Sequence, residues 1–118
     1  MKTPKVKKVK IGSSYYDVEY VDDLRDENNR VLFGRIIQAL RLIKINKGVC
    51  SYQNMLQAIH HEGTHGIMWE YVIENAVEDE EDLVEPISNG FYAFIIDNSE
   101  FIKEILKHAE EIKKWKIG

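Results

Sequence analysis

The sequence predicts an α+β domain in which a small antiparallel or mixed sheet of about three to four strands precedes three helices. Up to residue 45, apolar residues alternate with lysines and other polar residues, the period of a half-buried strand. After residue 51 they recur at three- and four-residue steps, the period of a helix, and Asn46-Lys47-Gly48 marks the turn between the two regimes. A chain of 118 residues fits one domain spanning 1–118, with room for a single core but not for a separate substrate lobe.

Residues 6–11 form the first expected strand, and Gly12-Ser13-Ser14 separates it from the alternation Tyr16, Val18, Tyr20, which reads as a hairpin. Lysines at 2, 5, 7, 8 and 10 alternate with Val9 and Ile11, as on a strand with one wet face. Such lysines suit a sheet edge, where they discourage further strand pairing, better than they suit phosphate contact. Residues 22–30 are a polar surface connection, and 31–37 and 40–45 supply two more apolar strands. Ser51 is the N-cap of a long helix whose packed face is Tyr52, Met55, Leu56, Ile59, Gly63, Gly66 and Ile67. Leu83, Ile87, Phe91, Phe94 and Ile95 mark a second helix, with Pro86 in its first turns. Asn98 or Ser99 starts a third, with an apolar stripe of Ile102, Ile105, Leu106, Ala109 and Ile112.

Composition narrows the function classes. With 44% hydrophobic and 31% charged residues and a formal net charge of −4, the chain gives no general electrostatic reason to bind nucleic acid or an anionic membrane. It has neither a signal-like apolar run after the early lysines nor a segment apolar enough to span a bilayer, so a cytoplasmic location is expected. Cys50 is the one cysteine, which fits a reducing compartment and a buried, small apolar role.

One stretch carries chemistry. His61-Glu62-Gly63-Thr64-His65 places two imidazoles four residues apart, on one helix face, as two ligands for Zn²⁺. Glu62 beside them is a candidate general base that takes a proton from water and passes it to a leaving amine. The plain alternative is two ordinary polar histidines on an amphipathic helix with Glu62 solvated. Against it, the flanks Ala58-Ile59-His60 and Gly66-Ile67 bring no charged side chain apart from His60, which points about 100° away from His61.

A catalytic zinc keeps three protein ligands. Among the carboxylates downstream, Glu85 is the chosen third ligand because Val84, Pro86 and Ile87 surround it with apolar residues, whereas 78–82 reads as a solvated acidic run. Burying a lone carboxylate is costly, and a cation offsets that cost. Asp82 as N-cap with Glu85 at N3 is a competing, purely structural role. Asn89, a turn later, is a candidate hydrogen-bond partner for a ligand. Tyr71, Tyr92 and His108 are candidate donors to a transition-state oxyanion.

His61-Glu62-x-x-His65 followed by Glu85 resembles the gluzincin pattern, in which two histidines of one helix and a glutamate of the next bind zinc. The order of strands and helices over roughly residues 5–100, with Leu32-Phe33-Gly34-Arg35-Ile36 ahead of the motif helix, is similar to small phage-encoded zincin-like proteins. These are distant relatives of the ImmA/IrrE-type metallopeptidases. The resemblance implies a minimal zincin-like fold, Zn²⁺ as cofactor, His61, His65 and Glu85 as its ligands, Glu62 as general base, and a peptide or protein as substrate. Gly63 departs from the bulky apolar residue common at that place and weakens the helix by about 1 kcal/mol relative to alanine. The expectation is therefore a zinc-dependent peptidase-like domain, with a catalytically inactive, protein-binding accessory module as its alternative.

Overall fold

A computed structural model describes residues 2–71 and 80–117, the side chains of 80–82 and 116–117 excepted. The order is β1 (Lys8–Ile11), β2 (Ser14–Val21), β3 (Gly34–Ile37), a short 3₁₀ turn (Gln38–Leu40), β4 (Leu42–Asn46), α1 (Tyr52–Tyr71), α2 (Glu80–Asp97) and α3 (Ser99–Ile117). The fold is thus α+β, with a four-stranded N-terminal sheet followed by three helices. The sheet is mixed, in the order β1-β2-β4-β3: β1 is antiparallel to β2, β2 parallel to β4, and β4 antiparallel to β3.

The hairpin between β1 and β2 turns on Gly12, whose φ of +60° is the left-handed conformation that a two-residue II′-type turn requires at its first position. Alternation then sorts the strands. Val9, Ile11, Tyr16, Val18, Ile43 and Ile45 are buried on the inner face, where α1 adds Met55, Leu56, Ala58, Ile59 and Ile67. The outward residues Lys8, Tyr15, Asp17 and Glu19 are exposed.

Three strand expectations were too long, the first of them, 6–11, narrowing to Lys8–Ile11. The apolar reading of 31–37 and 40–45 narrows to Gly34–Ile37 and Leu42–Asn46. Between them the chain reverses through the 3₁₀ turn to Arg41, at φ 50°, whose N–H donates to the Gln38 carbonyl at 3.1 Å. Leu40 sits on that reversal, 66% exposed, so its apolar character did not report a strand. Behind the turn after β4, Asn46 is fully buried: its Nδ2 donates to the Leu32 carbonyl at 3.0 Å and its Oδ1 accepts from Gly48 N–H at 3.1 Å.

Ser51 caps α1 as expected, its Oγ accepting from Asn54 N–H at 3.1 Å. Cys50 is buried beside it. Helix α2 is described from Glu80, so Asp82 lies within it rather than at its N-cap, and Pro86 falls in the second described turn, among the first turns as expected. Proline there removes the bond to the Asp82 carbonyl, a cost the packing of the helix must offset. Phe94 is buried on that helix, whereas Ile95 is exposed. On α3, Phe101 is buried and Ile102 and Ile105 are half-buried, but Leu106 is exposed, so the apolar stripe is narrower than the sequence suggests.

The α2–α3 junction covers the outer edge of β1. Asn98 accepts from Lys10 N–H at 2.6 Å and donates to the Lys10 carbonyl at 2.8 Å, replacing a neighbouring strand with one side-chain amide. The same Nδ2 donates to the Phe94 carbonyl at 2.9 Å, and Lys10 Nζ lies 3.7 Å from Asp97. Edge protection by lysine is therefore joined by direct pairing. No described helix is long and apolar enough to cross a membrane.

Candidate metal centre

Helix α1 lies across the sheet with Ile59 and Gly66 turned inward, and this rotation places His61 and His65 on its outer side while Glu62 reaches under it. The two imidazoles are neighbours, with ring centroids 4.9 Å apart in an edge-on arrangement. His61 is largely exposed, its side chain 69% accessible, and His65 is exposed as well. Glu62 is only 7% exposed, and its Oε2 lies 3.9 Å from His61 Nε2.

Burial raises the Glu62 carboxyl above the usual carboxylate range; His61, His65 and a hydrogen bond from Ile36 N–H oppose that rise without cancelling it. The Ile36 contact locates the carboxylate at the outer edge of β3, which pairs with no further strand among the described residues. Asn46 N–H donates to the Phe33 carbonyl, so Phe33 and Arg35 face β4 along the ladder, and Gly34 and Ile36 turn their backbone groups outward. Gly34 permits the approach: a Cβ there would sit 3.2 Å from Glu62 Cγ. A cavity of about 430 Å³ opens at this point, lined by Leu32, Phe33, Gly34, Asn54, Gln57, Ala58, His61 and Glu62.

Gly63 has a local reason. A Cβ at this position would meet the Phe94 ring at 3.1 Å, so glycine inside the motif lets α2 lay an aromatic ring against α1. Gly90 acts in the same way from the other side, since a Cβ there would lie 2.6 Å from Ile67 Cγ2 and 2.9 Å from the Tyr71 ring. What these glycines admit is side chain rather than a second backbone. His60 turns away from the motif, as its spacing predicts, and stacks on Phe91 at 5.6 Å.

Those contacts set α2 antiparallel to α1, with Phe94 at Gly63 and Gly90 at Ile67 and Tyr71. By that register Glu85 lies level with the end of α1, about 10 Å along the axis from His65. It is exposed. Among the described residues, no three His, Cys, Asp or Glu side chains are grouped as metal ligands. The histidine pair with Glu62 thus fits two donors and a base, and Glu85 is not gathered with them. Of the acidic run, residues 78 and 79 and the side chains of 80–82 lie outside the described residues. Asn89 is exposed on α2.

None of the three expected oxyanion donors lines the cavity. Tyr92 is 70% exposed on α2, Tyr71 packs at Gly90, and His108 sits beside Tyr52. Besides His61 and Glu62, the polar side chains at the cavity are the amides of Asn54 and Gln57, joined by a 3.2 Å hydrogen bond. Sequence reasoning also passed over Trp69, which stacks on His65 at 6.3 Å and extends the His61–His65 stripe by one more turn. Its spacing of four from His65 was the available signal. No protein-family model, curated protein or solved structure matches this chain.

Proposed function

We propose that this protein is a zinc-dependent, peptidase-like hydrolase, with His61 and His65 as metal ligands, Glu62 as general base, and Glu85, which must approach the pair from its exposed place on α2, as the third ligand. One observation carries the reading: a buried carboxylate, raised in pKa, stands beside two adjacent imidazoles, and it lines a cavity together with the nearer one, His61. Raised basicity suits a group that must take a proton from water near neutral pH and return it to a leaving amine. Bound there, Zn²⁺ would supply Lewis acidity toward a carbonyl. Glu62 would hold and move the proton, and the Ile36 N–H fixes the carboxylate that does so.

The outer edge of β3 supports a peptide as substrate. Ile36 N–H is engaged by Glu62, and among the described residues no further strand pairs with the Gly34 backbone groups and the Ile36 carbonyl, which would take an extended chain. Leu32 and the half-exposed Phe33 offer an apolar wall to one of its side chains. A lone buried cysteine accords with a cytoplasmic location. The second reading, a non-catalytic protein-binding module, is favoured by the exposed Glu85 and the lack of a three-donor group among the described residues.

Cleavage of an unstructured protein such as casein, in the presence of added zinc, tests between them. The peptidase reading expects cleavage by the wild type and its loss in Glu62→Gln with zinc still bound. Identical behaviour of both proteins would leave the binding module. Zinc retention unchanged in Glu85→Ala would remove Glu85 from the ligand set.

A further inference from the structure

On the side of α1 away from β3, the first turn of α1 and the second half of α3 enclose a cleft of about 370 Å³. Tyr52, His108 and Trp115 give it aromatic walls, Ile112 an apolar floor, and Glu111 a carboxylate. The Tyr52 and His108 rings lie 5.4 Å apart, and Trp115 is 88% exposed, an unusual placement for the largest apolar side chain. Glu104, His108, Glu111 and Trp115 follow one another at four- and three-residue steps, so one face of α3 presents them together.

Two observations point to the chemistry of an occupant. Glu104 accepts the Tyr52 hydroxyl, and among the described residues neither Glu104 nor Glu111 forms an ion pair, although two other glutamates of α3, Glu100 and Glu110, do. Glu111, the carboxylate that lines the cleft, is therefore without an ion pair among the described residues, whereas Glu100 and Glu110 have theirs. Independently, the chain's own Lys2 holds its ammonium 5.3 Å from the centre of the Tyr52 ring, so this wall already receives an alkylammonium group. His108 has Nε2 3.4 Å from Gln53 Oε1 and a buried Nδ1 without a partner, so packing against Tyr52 rather than a second hydrogen bond holds its ring.

We propose that this cleft is a binding site for the side chain of a lysine presented by a partner peptide, its methylene stem on Ile112 and Trp115 and its ammonium among Tyr52 and Glu111. Lys2 does not line the cleft but competes for the same Tyr52 ring. The site is separate from His61 and His65 and stands whether or not they bind metal.

The test is titration of the full chain followed by NMR at the Trp115 indole N–H, assigned with Trp115→Phe. The probes are Nα-acetyl-lysine amide, its uncharged isostere Nα-acetyl-norleucine amide, butylammonium chloride and an acetyl-Ala-Lys-Ala amide tripeptide. The lysine amide shifts the resonance saturably and the norleucine amide does not. Lys2→Ala tightens binding severalfold, and Glu111→Gln, on an exposed side chain, weakens it about tenfold with an unchanged far-UV spectrum. Equal shifts with norleucine amide, no shift at about 10 mM lysine amide, or indifference to Glu111→Gln would overturn the site. A tripeptide that binds no more tightly than butylammonium would overturn a peptide as the source of the amine.

Discussion

In the proposed hydrolase, Glu62 joins chemistry to stability. Its carboxyl is held above the usual range by burial, so the folded state favours the protonated form. A group raised in this way contributes stability fully below its unfolded value, about 4.3, and loses that contribution as pH rises. At neutral pH the ionised Glu62 is therefore a cost, and in metal-free protein Glu62→Gln should melt at a higher temperature than wild type. The same substitution should lower peptide cleavage by about 10²- to 10⁴-fold. A lower melting midpoint together with undiminished cleavage would contradict both roles. The motif itself was legible because imidazoles four apart must share a helix face. The burial of Glu62 was not, because it depends on β3, an element distant in sequence whose Gly34 and Ile36 reach it only after folding.

Asn98 shows how much of the architecture rests on the joints between elements. Its amide makes three hydrogen bonds, two to the edge of β1 and one to the end of α2. Asn98→Ala should lower unfolding free energy by about 2–3 kcal/mol, read from urea denaturation, because three backbone partners lose a bond at a part-buried site. Gly90→Ala should cost about 1 kcal/mol: helix propensity favours alanine, but the added methyl meets the stem of Ile67 rather than a flexible tip, and overpacking outweighs the gain. Strand, turn and cap signals at Gly12, Ser51 and Asn46 were readable from local pattern because their causes are local. The reversal at Arg41 and the place of Asp82 inside α2 were hidden, since the first needs a left-handed non-glycine residue and the second a helix that is already formed at Glu80.

Across the whole molecule, sheet and helices share one core, and the third helix is tied to it by Phe101 and by the Tyr52–Glu104 hydrogen bond. Burial, with Glu104 close by, holds the hydroxyls of Tyr20 and Tyr52 well above their ordinary value. The folded state keeps these protons more tightly than the unfolded chain, so their contribution is complete below about pH 10 and declines above it. Alkaline unfolding followed by circular dichroism should begin there, and the slope should flatten in a Tyr20→Phe, Tyr52→Phe double variant. The fold class was legible because two periodicities divide the chain near Asn46. The placement of Glu85 was not, because its apolar neighbours suggest burial while the antiparallel register of α2 on α1 leaves it exposed at the end of α1. The central claim, that His61 and His65 hold a metal, is tested most directly by the zinc content of purified protein after dialysis against zinc and then buffer. One zinc per chain, lost in His61→Ala and in His65→Ala, is the predicted result; wild type without zinc, or with zinc that both variants retain, would contradict it.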